Sequence, residues 1–146
     1  MHAVIGTLVL ATSLAAGVWG AWSWWRAEAR RSFWTLLRAS QIVLVVEVLL
    51  GASLLLLERE PARLHLLYGL LPLGVSFVAE QLRLVAADQV LLGRDLESAR
   101  DMEALPEAEQ HEIVAEIVRR ETGVMAASAL VVFVLALRAS GVTGLV

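Results

Sequence analysis

QIVLVVEVLLGASLLLLEREPARLHLLYGLLPLGVSFVAEQLR, residues 41–83, decides the architecture. Two apolar runs flank a short charged turn, Glu58-Arg59-Glu60-Pro61-Ala62-Arg63. Each run has the length, about 20 residues, that carries a helix across roughly 30 Å of hydrocarbon. The first holds one carboxylate, Glu47, near its middle. The second opens on His65-Leu66-Leu67-Tyr68-Gly69 and closes on Glu80-Gln81-Leu82-Arg83.

Working outward, the pattern repeats. The 146 residues are 58% apolar with a mean hydropathy of +0.70, above the roughly 45–50% of a soluble domain. The excess falls into four runs, about 4–24, 39–57, 64–87 and 122–137. The expectation is an all-α polytopic membrane protein, a single domain over 1–146 built as an antiparallel four-helix transmembrane bundle. Only Met1-His2-Ala3 precedes the first run, without the basic segment of a signal peptide, so that run is expected to stay in the mature protein. There is no cysteine, which excludes disulfides and thiolate-held metal or iron–sulfur centres.

Charge predicts the orientation. All twelve basic residues are arginine. Arg26, Arg30, Arg31 and Arg38 fill the first connection against Glu28 alone, and Arg94, Arg100, Arg119 and Arg120 lie in the third. The second has Arg59 and Arg63. Basic short loops stay cytoplasmic, so both termini are expected outside the cell membrane. Trp19, Trp22, Trp24, Trp25 and Trp34 cluster beside the first connection, as indoles do at a membrane–water boundary. Residues 88–121 carry ten acids and four arginines, a net of −6, and read as a cytoplasmic helical hairpin extending spans three and four. Leu92, Leu96, Ala99 and Met102 mark the stripe of its outgoing arm, and Ile113, Val114, Ile117 and Val118 that of its return. Its tip is expected near Ala104-Leu105-Pro106, with Pro106 in the first turn of the returning helix.

Within the spans, polar and small residues recur every three or four positions. His65, Tyr68, Gly69, Pro72, Ser76, Glu80 and Arg83 form one stripe, Ser40, Glu47, Gly51 and Glu58 a second, and His2, Gly6, Ser13, Gly17 and Gly20 a third. Such stripes must face protein rather than lipid, and the small residues let backbones approach closely. Close approach serves a bundle or a dimer. Pro72, with Gly69 and Gly74, predicts a bend and a small outer cavity.

Three constellations carry possible chemistry. Glu47, counted from Arg38 to Glu58, is expected close to mid-membrane, where ionisation costs ~2.5–3.5 kcal/mol. It is read as a neutral carboxyl bonded across helices, with Thr12, Ser13, Ser76 and Ser128 at similar depth, or as a proton-coupled substrate site. Glu80 and Arg83, three apart, read as a structural ion pair. His65 and His2 share a predicted depth and could ligate a haem iron axially. Arg63, and Arg138 beyond it, would meet the propionates, and Tyr68 would add a hydrogen bond. His111 reads as a surface residue. Glycine-rich phosphate loops, nucleophile elbows and metal-binding motifs are absent, and arginine clusters occur only beside spans, so neither a metal centre nor nucleic acid is expected.

Glu47-Val48-Leu49-Leu50-Gly51, a turn, then His65-Leu66-Leu67-Tyr68-Gly69 resembles the second and third helices of one four-helix half of haem A synthase. The resemblance covers about thirty residues, with Glu47 where that family has Gln, and only one half is present. It implies a functional role for His65. The chain also resembles small four-span bacterial membrane proteins with a similar third helix, a likeness that implies no activity.

The leading functional expectation is therefore a non-catalytic integral membrane protein without a cofactor, an accessory, assembly or partner-binding subunit. Its partners would be the lipid bilayer and another membrane protein or a second copy. The alternatives are a haem-binding or redox-associated protein using His65 and a small proton-coupled transporter using Glu47.

Overall fold

The computed structural model describes residues 2–28, 30–57, 63–96 and 98–141, without the side chains of residues 2, 3, 55, 57 and 63–66. Four long helices account for almost all of it: α1, His2–Trp25; α2, Arg31–Leu57; α3, Arg63–Leu92; and α4, Glu107–Ala139. In lipid every backbone N–H and C=O must be satisfied within the segment, which leaves a helix as the form open to each apolar run. Stretches Val4–Trp25, Arg31–Leu54 and Leu67–Leu92 and the helix Glu107–Ala139 are each long and apolar enough to cross a membrane. The chain is a multi-pass integral membrane protein.

The helices form an antiparallel bundle in which each packs against its neighbours in sequence and α4 closes the ring on α1. The α2–α3 seam is much the sparsest. Glycines set the closest approaches. A Cβ on Gly20 would lie 2.5 Å from the Phe33 ring and 2.7 Å from Ala126 Cβ, and one on Gly17 would lie 2.5 Å from Leu130 Cδ2. The small-residue stripe of α1 is thus consumed by packing inside the bundle. Ala16, Phe33, Leu37, Ala79, Met125 and Ala129 form the core nearer the tryptophans, and Val9, Leu44 and Val132 a second layer beyond.

The expected stripe of α3 does turn inward. Pro72 is fully buried, and Tyr68, Gly69, Ser76, Glu80 and Arg83 are half-buried, while Leu67, Leu70, Phe77, Val78 and Leu82 are exposed to lipid. On α2, Ser40 is buried and Glu47 and Gly51 half-buried; Glu58 lies outside the described residues.

The segment following α3 differs from the expected continuous arm. α3 stops at Leu92 because Gly93 weakens it and the chain closes a Schellman cap. Leu96 N–H donates to Leu91 O (3.0 Å), Asp95 N–H to Leu92 O (3.1 Å), and Asp95 takes the left-handed conformation at φ 57°. Leu92, expected in the buried stripe, is therefore exposed, as is Val114 on the returning side. The packed set is Val90, Leu91 and Ile113, with Leu96, Met102, Leu105 and Ile117 against them. A single 3-10 turn, Asp101–Ala104, precedes α4, and Pro106 is the N-cap of α4 rather than part of its first turn. α4 then runs unbroken from the polar segment into the membrane, as the sequence predicts.

Candidate functional site

The most connected polar cluster joins α2, α3 and α4. Glu80 is its centre. Arg38 donates through Nη1 and Nη2 to the two carboxylate oxygens (Nη2–Oε2 3.3 Å), Gln41 Nε2 donates to Oε1 (3.0 Å), and Arg83 Nε donates to Oε2 (3.1 Å). Arg83 also reaches Glu121 of α4 at 4.0 Å and lies over the Trp34 ring, 5.4 Å from its centroid. The expected Glu80–Arg83 pair is therefore present, but it is the minor half of the network. In the sequence Arg38 is a topology marker, and nothing there joins it or Gln41 to Glu80. Their spacing of three places both on one face of α2, and that was the available signal. Chemically the cluster is a tie across the sparse α2–α3 seam.

One turn further along the bundle, Ser40, Gln41, Ser76 and Ser128 line a crevice with Leu37, Leu44, Ala129 and Val132. Its volume of about 10 Å³ is room for about one water molecule. Ser128 donates to the Met125 carbonyl of its own helix (2.8 Å). The crevice does not include Pro72 or Tyr68, so the polar space lies elsewhere than the cavity expected from the Pro72 bend.

Glu47 projects toward α1, where its Oε1 would be 3.2 Å from a Cβ on Gly6. Its Oε2 is buried. Gly6–Glu47 and Gly20–Phe33 are equivalent antiparallel contacts, fourteen residues apart on both helices, or about 21 Å. Gly20 and Phe33 lie among the tryptophans, whereas Gly6 is only four residues from the start of α1. Glu47 therefore meets α1 on the side of the bundle away from the tryptophans. α2 itself begins at Arg31, two turns before the apolar run that starts at residue 39. The hydroxyls expected near it include Thr12 and Ser13, which donate within α1 to Leu8 O (2.7 Å) and Val9 O (2.6 Å). Glu47 is not among the residues lining the crevice.

Of the haem candidates, Tyr68 is half-buried, and the side chains of His2, His65 and Arg63 lie outside the described residues. α1 and α3, which carry the two histidines, occupy opposite corners of the ring. Arg138 is exposed in the last turn of α4. His111 is exposed on the polar part of α4.

The tryptophan end is laced by cation–π contacts: Arg26 over Trp22 (5.7 Å), Arg30 over Trp19 (5.3 Å) and Arg119 over Trp24 (5.7 Å). Trp19 Nε1 also donates to Ser32 Oγ (3.1 Å), stitching α1 to α2. Glu28 accepts from Arg30 Nε (2.7 Å) and lies 3.6 Å from Arg26. The Arg30 hydrogen bond holds its carboxyl below the ordinary range, against a smaller opposing effect of desolvation. Beyond this belt, Arg94 bridges Glu112 (3.1 Å) and Glu116 (3.3 Å) and pins the connecting segment to α4. Among known proteins the chain matches no family model, no curated protein and no solved structure.

Proposed function

We propose that this is a non-catalytic membrane subunit, with its tryptophan end in the cytoplasm and both termini outside, whose acidic segment 88–121 receives a partner. One observation carries the reading. That segment is the chain's sizeable polar part, with a net charge of −6, and it is built rather than slack. Val90, Leu91 and Ile113 give it a core, and Arg94 clamps it through Glu112 and Glu116. Meanwhile Glu103, Glu107 and Glu109 are left exposed on its surface. An ordered, protruding surface of one charge sign suits a partner of the opposite sign. Within the bundle, by contrast, the polar side chains of the Glu80 cluster are used on one another and the crevice holds about one water.

Photo-crosslinking in native membranes tests this. A crosslinker at position 109 is expected to yield a discrete hetero-adduct that disappears when Glu103 and Glu107 are changed to Gln. The same crosslinker at lipid-facing position 84 should not yield it. Recovery of monomer and homodimer bands alone from position 109 would refute the reading.

A further inference from the structure

One corner of the tryptophan end carries a charge that the protein itself does not neutralise. The α1–α2 connection and the facing turn of α4 gather Arg26, Arg30, Arg31 and Arg119 around the last turns of α1. Glu28 is the acid of that connection, so four positive charges meet one negative. The nearby acids of α4 are engaged elsewhere, Glu116 with Arg94 and Arg120, Glu121 with Arg83. Arg31 and Arg119 are exposed and make no side-chain ion pair among the described residues.

The geometry leaves these guanidiniums ready for an oxyanion. The guanidinium carbons of Arg26, Arg30 and Arg119 each lie over an indole ring, 5.3–5.7 Å from its centroid. Arg30 gives its Nε side to Glu28, and Arg26 lies 3.6 Å from the same carboxylate, whereas Arg31 and Arg119 keep a whole N–H edge, which matches phosphate oxygens in bidentate fashion. Indoles settle at headgroup depth, so the edges lie where lipid phosphates are. Below them Val18, Trp22 and Trp25 are 57%, 52% and 78% exposed, an apolar flank for acyl chains that a free anion would not need.

We propose that this arginine–indole rim is a binding site for anionic phospholipid, enriching it over zwitterionic lipid in the leaflet that meets the tryptophan end.

The five tryptophans all lie at this end, so their fluorescence reports which lipid is beside the rim. The full chain is reconstituted into phosphatidylcholine vesicles containing an equal minor fraction of either brominated phosphatidylglycerol or brominated phosphatidylcholine, and quenching is compared. Each arginine near an anionic surface contributes about fivefold in local lipid concentration. The wild-type ratio, anionic over zwitterionic, is expected to be several-fold above one. In R26Q/R30Q/R31Q it should fall to about one, and in the distant R100Q it should stay at the wild-type value. If the triple variant fails to insert, raising salt on the wild-type protein gives the same reading, since screening at about 1 M shortens the Debye length to roughly 3 Å. Equal wild-type quenching by the two lipids would overturn the proposal, as would a ratio unmoved by both the triple substitution and salt. Loss of the preference on adding inorganic phosphate, but not chloride of matched ionic strength, would reassign the rim to free anions and also overturn it.

Discussion

Glu80→Ala removes the acceptor that holds the α2–α3 seam. Three donors lose it at once: Arg38, Gln41 and Arg83. The magnitude follows from exposure. Hydrogen bonds to charged groups contribute ~1.5–3 kcal/mol when buried, and exposed ion pairs ~0.2–1 kcal/mol. Arg38 and Glu80 are 47% and 24% exposed, so the pair sits between those limits, at about 1 kcal/mol. The Gln41 bond and the local Arg83 pair contribute roughly half of that each, so the variant should lose about 2 kcal/mol. The informative assay is a double-mutant cycle. Glu80→Ala, Arg38→Ala and the double variant are unfolded reversibly in mild detergent, and the Arg38–Glu80 coupling is extracted. The expected coupling is about 1 kcal/mol. A coupling indistinguishable from zero, with Glu80→Ala as stable as the parent, would refute the claim that this cluster ties the two helices.

The remaining expectations are shorter. Gly20→Ala drives a methyl group to 2.5 Å from Phe33 and 2.7 Å from Ala126 and should cost about 1–3 kcal/mol by overpacking; unchanged thermal unfolding would contradict the α1–α2–α4 contact. Ala27 sits at φ 51°, so Ala27→Gly should raise stability by about 0.5–1 kcal/mol in the same assay, and Ala27→Val should lower it. Glu28 has a folded-state pKa depressed below its ordinary 4.5. Its contribution is therefore complete above about that pH and fades as pH falls through the depressed value. A pH series of unfolding midpoints should show an acid-side loss that Glu28→Gln lacks; identical profiles would count against the Arg30 contact. Glu47→Gln should leave folding intact, and Gly6→Leu should destabilise by displacing the carboxyl; a well-folded Gly6→Leu would argue against the Gly6–Glu47 register.

Much of the architecture can be read from single residues and their spacing. Four apolar runs of membrane-crossing length, arginines gathered beside two of the connections, and polar stripes recurring every three or four positions are local properties. They hold whatever the helices pack against, because lipid penalises each misplaced polar group separately. Helix caps were less legible. Ala27 and Asp95 occupy left-handed positions that usually advertise themselves as glycine, so the sequence predicts α3 to run on past Leu92.

Tertiary structure alone decided relations between distant positions. Arg38 meets Glu80 forty-two residues away, and Glu47 is aligned with Gly6. Periodicity tells which face of a helix turns inward but leaves free its sliding along a neighbour. That offset is set by where glycines admit a facing side chain, as Gly20 admits Phe33 and Gly17 admits Leu130. Spacing along one helix thus determined the spans and their inward faces, and close packing between helices determined which inward residues meet.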